Sequence, residues 1–139
     1  MNDLVADVQT YLASLGLVDG STAWPSTRGR MHDESDQLVG IAEDVGLDPE
    51  VPADEGLGSA ALYRPGCQVR VRGLADDRDT TFAKAKAIHD ALHGITGAEM
   101  GSNTYMLVRA RASAFARFYD DQSRPNYTMS YLATVAAVA

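Results

Sequence analysis

Pro65-Gly66-Cys67-Gln68-Val69-Arg70-Val71-Arg72-Gly73 decides how the rest of the chain is read. Alternate side chains of an extended segment share a face, so Cys67, Val69 and Val71 point one way and Gln68, Arg70 and Arg72 the other. The apolar face belongs in a core. The opposite face carries two permanently charged guanidiniums, which a small domain leaves wet, pairs with carboxylates or turns towards a neighbour. Pro65-Gly66 sets the turn into this strand and Gly73 permits a sharp exit. A helix is expected directly afterwards. Asp76, Asp77 and Asp79 place carboxylates where free amides and the helix dipole favour them, and Thr81, Ala85, Ile88, Leu92 and Ile95 then recur at helical spacing, with Gly94 placed to stop the helix.

Upstream, Leu4, Val5, Val8, Leu12 and Leu15 predict an amphipathic helix over residues 3–15, with Asn2 placed to cap it and Gly16 to end it. Residues 17–31 read as a loop that includes a short strand around Thr22-Ala23-Trp24, and His32-Asp33-Glu34-Ser35-Asp36 as a solvated turn. Gln37 to Asp44 is a strand with an apolar middle. Val45 to Arg64, with its glycines and prolines and with Asp48, Glu50, Asp54 and Glu55, reads as a long, flexible acidic loop. Connections of that length are uncommon in a compact domain and are usually functional or disordered, which points to ordering on a partner.

Downstream, Gly97 to Asn103 reads as a turn and Thr104 to Ala112 as a strand, with Met106, Val108, Ala110 and Ala112 on one side and Tyr105, Leu107, Arg109 and Arg111 on the other. Ser113 to Tyr119 continues extended, Asp120 to Pro125 is a hydrophilic turn, and Asn126 to Val135 is a last strand whose Tyr127, Met129, Tyr131, Ala133 and Val135 share a side. The polar turn makes a hairpin of the final pair. The expected fold is α/β of the α+β kind: a mixed, mostly antiparallel sheet of about four to five strands with two helices packed on one face, in a single domain over residues 1–139.

Composition narrows the function. The chain has 139 residues, 45% of them hydrophobic and 22% charged, which suits one globular domain. A net charge of -7 argues against a broad nucleic-acid-binding surface, since that affinity comes mainly from neutralising phosphates. The single Cys67 excludes an intramolecular disulfide and a multi-cysteine zinc site and reads as a core thiol in a reducing compartment. Met1 to Val5 lacks the basic and apolar regions of a secretory signal, and no segment has the length of a membrane span, so a soluble protein made inside a cell is expected. His32, Asp33 and Glu34 are consecutive and converge poorly on one ion. His89 and His93 lie four apart on a helix but lack an evident third ligand, and fit a helix C-terminus or surface. There is no phosphate-binding glycine loop and no Gly-x-Ser-x-Gly elbow, and the pairs Asp76-Asp77 and Asp120-Asp121 are accounted for by caps and turns. No catalytic residue, cofactor or metal is assigned.

In order along the chain, Met31-His32-Asp33-Glu34-Ser35-Asp36, Leu38-Val39-Gly40-Ile41, the Pro65 to Gly73 run, Ile88-His89-Asp90-Ala91-Leu92-His93-Gly94, Ser113-Ala114-Phe115, Asp120 and Arg124-Pro125-Asn126-Tyr127-Thr128-Met129-Ser130-Tyr131 resemble the tail-terminator proteins of long-tailed bacteriophages, a group that includes proteins labelled minor capsid or tail-completion proteins. The sequence departs from that pattern where His32, Ser35 and Ala114 replace prolines and Cys67 replaces an aliphatic residue. The resemblance implies a structural, non-enzymatic virion protein, assembled in the host cytoplasm, that forms a homo-oligomeric ring, typically a hexamer. Such a ring caps the head-proximal end of the tail tube, stops its growth and meets head-completion proteins. Its partners are other copies of itself, the tube protein, those connectors, and genomic DNA that passes through the lumen without sequence-specific binding; no membrane is involved. Residues expected at its interfaces are Arg70, Arg72, Arg109 and Arg111 on the outward sheet face, Asp48, Glu50, Asp54 and Glu55 on the acidic loop, and Asp120 and Arg124 in the last turn. The subunit contact is expected at the Val45 to Arg64 loop or along an exposed edge of the Asn126 to Val135 strand. The alternatives are another head-to-tail connector, or a small ligand-binding domain or enzyme that uses His89 and His93.

Overall fold

The computed structural model describes residues 3–50, 62–101 and 103–136. The Pro65 to Gly73 run forms most of strand β3 (Leu62–Arg72), and its alternation holds: Cys67, Val69 and Val71 are buried. The other elements are helix α1 (Leu4–Ser14), β1 (Ser26–Arg28), β2 (Leu38–Glu50), α2 (Arg78–Leu92), β4 (Ala98–Met100), β5 (Asn103–Ala110), β6 (Ala116–Tyr119) and β7 (Pro125–Ala136). The sheet runs β1-β2-β3-β7-β5-β4, with β6 paired to β7 off that path. β1 lies parallel to β2 and every other pairing is antiparallel. The fold class is as expected. The sheet has seven strands rather than four to five because β1, β4 and β6 are pieces of three or four residues inside segments that read as loop, turn and extended chain.

Both helices cover one face. Leu4, Val5, Val8 and Leu12 of α1, and Thr81, Ala85, Ile88 and Leu92 of α2, are buried. Their apolar members share one core cluster with Val39, Ile41, Val69, Val71, Tyr127, Met129 and Tyr131 of the sheet. The helix caps are aspartates: Asp3 accepts the Ala6 N–H at 3.0 Å and Asp77 the Thr80 N–H at 3.2 Å. Asn2, read as the first cap, lies outside the described residues.

Four local readings are corrected. Thr22 to Trp24 is a turn, because Asp19 donates its N–H to the Trp24 carbonyl at 2.8 Å and the Thr22 hydroxyl bonds back to the Asp19 carbonyl at 2.8 Å; pairing begins only at Ser26. Val45 to Glu50 and Leu62 to Arg64 are strand rather than loop, and only residues 51–61 between them lie outside the described residues. Gly46, read as part of the loop, and Gly66, read as part of the entry turn, sit where the β2–β3 register shifts. A Cβ on Gly46 would lie 2.2 Å from the Arg64 carbonyl oxygen, and one on Gly66 2.7 Å from that of Val45. In β5 the register shifts between Tyr105 and Leu107, so Tyr105, Val108 and Ala110 lie on the core side while Met106 is 49% exposed. The fourth correction concerns β7, which has no free edge: β3 pairs along one flank, and β6 and then β5 along the other.

Helix α1 ties together elements from opposite ends of the sheet order. Its Gln9 donates to the Ser26 hydroxyl of β1 at 2.7 Å. Its buried Asp7 accepts from the Tyr105 hydroxyl at 2.6 Å and the Asn103 amide at 2.7 Å, both on β5. Burial, and then the bond to Asp7, raise the Tyr105 phenol well above its ordinary range. Gly101 makes the close approach possible, with φ +60° and Asp7 Oδ1 2.3 Å from the position a Cβ would take.

Removing this acceptor takes the Asp7 bond from the buried Tyr105 hydroxyl and from the half-buried Asn103 amide. Asp7→Ala is expected to lower unfolding stability by about 2–3 kcal/mol and Tyr105→Phe by about 1–2 kcal/mol, read from urea midpoints at constant slope. Gly101→Ala is expected to act in the same direction.

Candidate functional site

The proposed interface residues separate into distinct groups. Arg72 is 5% exposed, at the end of β3 and covered by the His32 to Asp36 segment. It donates to the carbonyls of His32 at 2.7 Å, Ser35 at 2.6 Å and Asp36 at 3.0 Å. Arg124, 4% exposed, opens the turn into β7 and donates to Asp120 at 2.8 Å, Asp33 at 3.0 Å and Asp36 at 3.3 Å. Two guanidiniums therefore fix the His32 to Asp36 segment, which read as a solvated turn, and Asp120 joins them from the β6–β7 connection. Buried cations of this kind are tolerated because nearly every donor finds a carbonyl or carboxylate. The signal in the sequence was an acid-rich turn before one strand, with arginines at the ends of two others. Neighbours in space but not in sequence could not be matched from it.

The other three arginines are spread across the sheet, with β7 between β3 and β5. Arg70 stands opposite Thr128, with its guanidinium carbon 5.2 Å from the centre of the Phe118 ring on β6. Arg109 is exposed opposite Leu132. Arg111, just beyond β5, reaches over the sheet to donate to the Val45 carbonyl of β2. The recess beneath it, about 340 Å³, is lined by Asp44, Gln68, Thr128 and Ser130 among others. Hydrogen bonds from the Ser130 hydroxyl and the Val45 N–H hold the Asp44 carboxyl below its usual range; burial opposes them and the Arg111 charge assists.

Asp48 and Glu50 belong to β2, but their side chains, with Asp54 and Glu55, lie outside the described residues. The described part of the β2–β3 hairpin exposes Val45 (75%), Leu47 and Tyr63. All four residues of β6 are exposed, including Phe118 and Tyr119.

His89 and His93 stack with ring centres 5.2 Å apart. The Ala110 N–H donates to His93 Nδ1 at 2.9 Å, and His89 Nδ1 lies 3.1 Å from the Tyr131 hydroxyl. Burial, then the neighbouring His93, lowers the His89 pKa. The pair fastens the end of α2 to β5 and β7, and no group of three or more metal-ligating side chains occurs among the described residues. Burial pushes the Cys67 thiol up to about 12, so it remains a protonated core residue. No helix among the described residues is long and apolar enough to cross a membrane.

Burial alone would raise the Asp120 carboxyl, but the Arg124 N–H, its guanidinium and the Gln122 N–H outweigh burial and hold it below the ordinary value. A carboxyl depressed in the folded state stabilises fully above its unfolded pKa, about 3.9, and loses that contribution as pH falls through the folded value. Asp120→Asn is therefore expected to lower the melting temperature at pH 7 by about 3–6 °C, with the gap to the parent closing below about pH 4.

No curated protein matches the sequence. A chain of the solved structure titled "Virion of native gene transfer agent (GTA) particle" is similar in fold, with a TM-score of 0.61 and 18% identity over 95% of this chain and 92% of that one. Residues 11–136 match the family described as "Bacteriophage tail terminator protein". That span contains every strand of the sheet, the whole of α2 and both buried arginines. The chain belongs to the bacteriophage tail terminator protein family.

Proposed function

We propose that this protein is a structural virion component that closes the head-proximal end of a phage tail tube as a ring, typically a hexamer, ending tube growth and presenting the surface that head-completion proteins engage. The observation that carries this reading is the family match across residues 11–136, which takes in the entire sheet. The role is one of surfaces rather than catalysis. Asp7, Arg72, Asp120 and Arg124 are committed to holding elements together. Genomic DNA threads the lumen, and a subunit of net charge -7 favours passage over a tight grip on phosphates.

Particles assembled without this protein test the reading by electron microscopy. Overlong or ragged tubes without heads are expected, and tails of normal length that merely fail to join heads would assign the protein to another connector of the joint instead. Purified protein is expected to run at the mass of a closed ring, and class averages viewed down its axis give the subunit number.

A further inference from the structure

Among the described residues, β1 and β4 end the sheet order with a short free flank each, and two further flanks are unpaired, along β2 and β6. β1 pairs with β2 only from Val39 to Ile41, so the flank of β2 beyond Ile41 takes no strand partner, although β2 runs on to Glu50. β6 pairs with β7 through all four residues and with nothing on its other side. The register sets these flanks at opposite corners of the sheet. The β2 stretch lies level with Leu62 to Gln68 of β3, whereas β6 lies alongside Pro125 to Thr128, which are level with Arg70 to Arg72. Exposed strand flanks with apolar side chains are templates for strand addition.

Their charges are opposite. β2 carries Glu43, Asp44, Asp48 and Glu50 with no basic residue. β6 carries Arg117 and no acidic residue, with Asp120 and Asp121 in the turn that follows. The two stretches thus complement each other between copies, each acidic flank meeting a neighbour's basic one. A contact between different surfaces of identical subunits is heterologous and repeats around a ring, and the corner-to-corner offset supplies the stagger that a closed sheet requires. At the bulge, Val45 already uses both backbone groups, its N–H on Asp44 Oδ1 at 2.8 Å and its carbonyl on Arg111, so added pairing falls on either side of it.

We infer that adjacent copies of this chain join by strand addition, the free flank of β2 between Ala42 and Glu50 of one copy receiving β6 of the next. This inference rests on the ring reading above and specifies its contact.

The test uses full-length protein carrying Leu47→Cys and Tyr119→Cys, both exposed positions, with the buried Cys67 unchanged. A short bismaleimide is expected to give a covalent ladder ending at the ring mass, and neither single variant should pass the dimer. Rings of normal native mass without a ladder would overturn the strand pairing while leaving the ring reading intact. A protein that stays monomeric at high concentration would overturn both. A second pair guards against an awkward crosslinking angle: Glu43→Arg and Arg117→Glu are each expected to weaken ring formation at least tenfold, and their combination to restore it. Failure of the combination to restore rings, with both single variants folded, would also overturn the pairing.

Discussion

The molecule depends on β3 and β7 lying side by side in one register, with Cys67 opposite Tyr131, Val69 opposite Met129 and Val71 opposite Tyr127. These pairs make the floor of the core, and a slip of one residue would turn every one of them outward. Once that register is set, much else follows. β2 adds to the other flank of β3, α1 and α2 cover the apolar side, and β7 must divide its remaining flank between β6 and β5. Asp7 then secures α1 against Tyr105, so a helix early in the chain is held by a strand near its other end.

Much of this was legible from the sequence because it is periodic. The alternation in β3 and β7 and the helical stripes of Leu4 to Leu12 and Thr81 to Leu92 each reflect one geometry repeated over many residues. Misreadings arose where a single residue breaks the period. The β5 irregularity after Tyr105 reverses the facing of two residues, and Gly46 and Gly66 resemble loop and turn composition when their cause is the close passage of two backbones. Short strands such as β1 and β6 have too few residues to show alternation at all.

The candidate site was less legible, for an electrostatic reason. Arg70 and Arg72 look alike in the alternation, yet one rests on an aromatic ring and the other is taken from water among carbonyls. What separates them is the His32 to Asp36 segment, which sequence distance hides. A guanidinium is kept or withdrawn from solvent according to the acceptors folded around it, and these come from remote parts of the chain. The family resemblance was easier to see than the site because it needs only the order of segments.

The strand in the middle of the sheet comes late in the chain, and this bears on how the subunit is made. While β1, β2 and β3 emerge from the ribosome they can form a hairpin and its neighbour, and β4 and β5 can form another, but no strand pairing yet joins the two halves. Long-range pairing of this sort is slow, because distant segments must meet before any stabilisation repays the lost chain entropy. β6 cannot dock until β7 has been synthesised, so nascent chains do not present a finished flank to one another on the polysome. The sheet is thereby completed only when the chain is nearly whole.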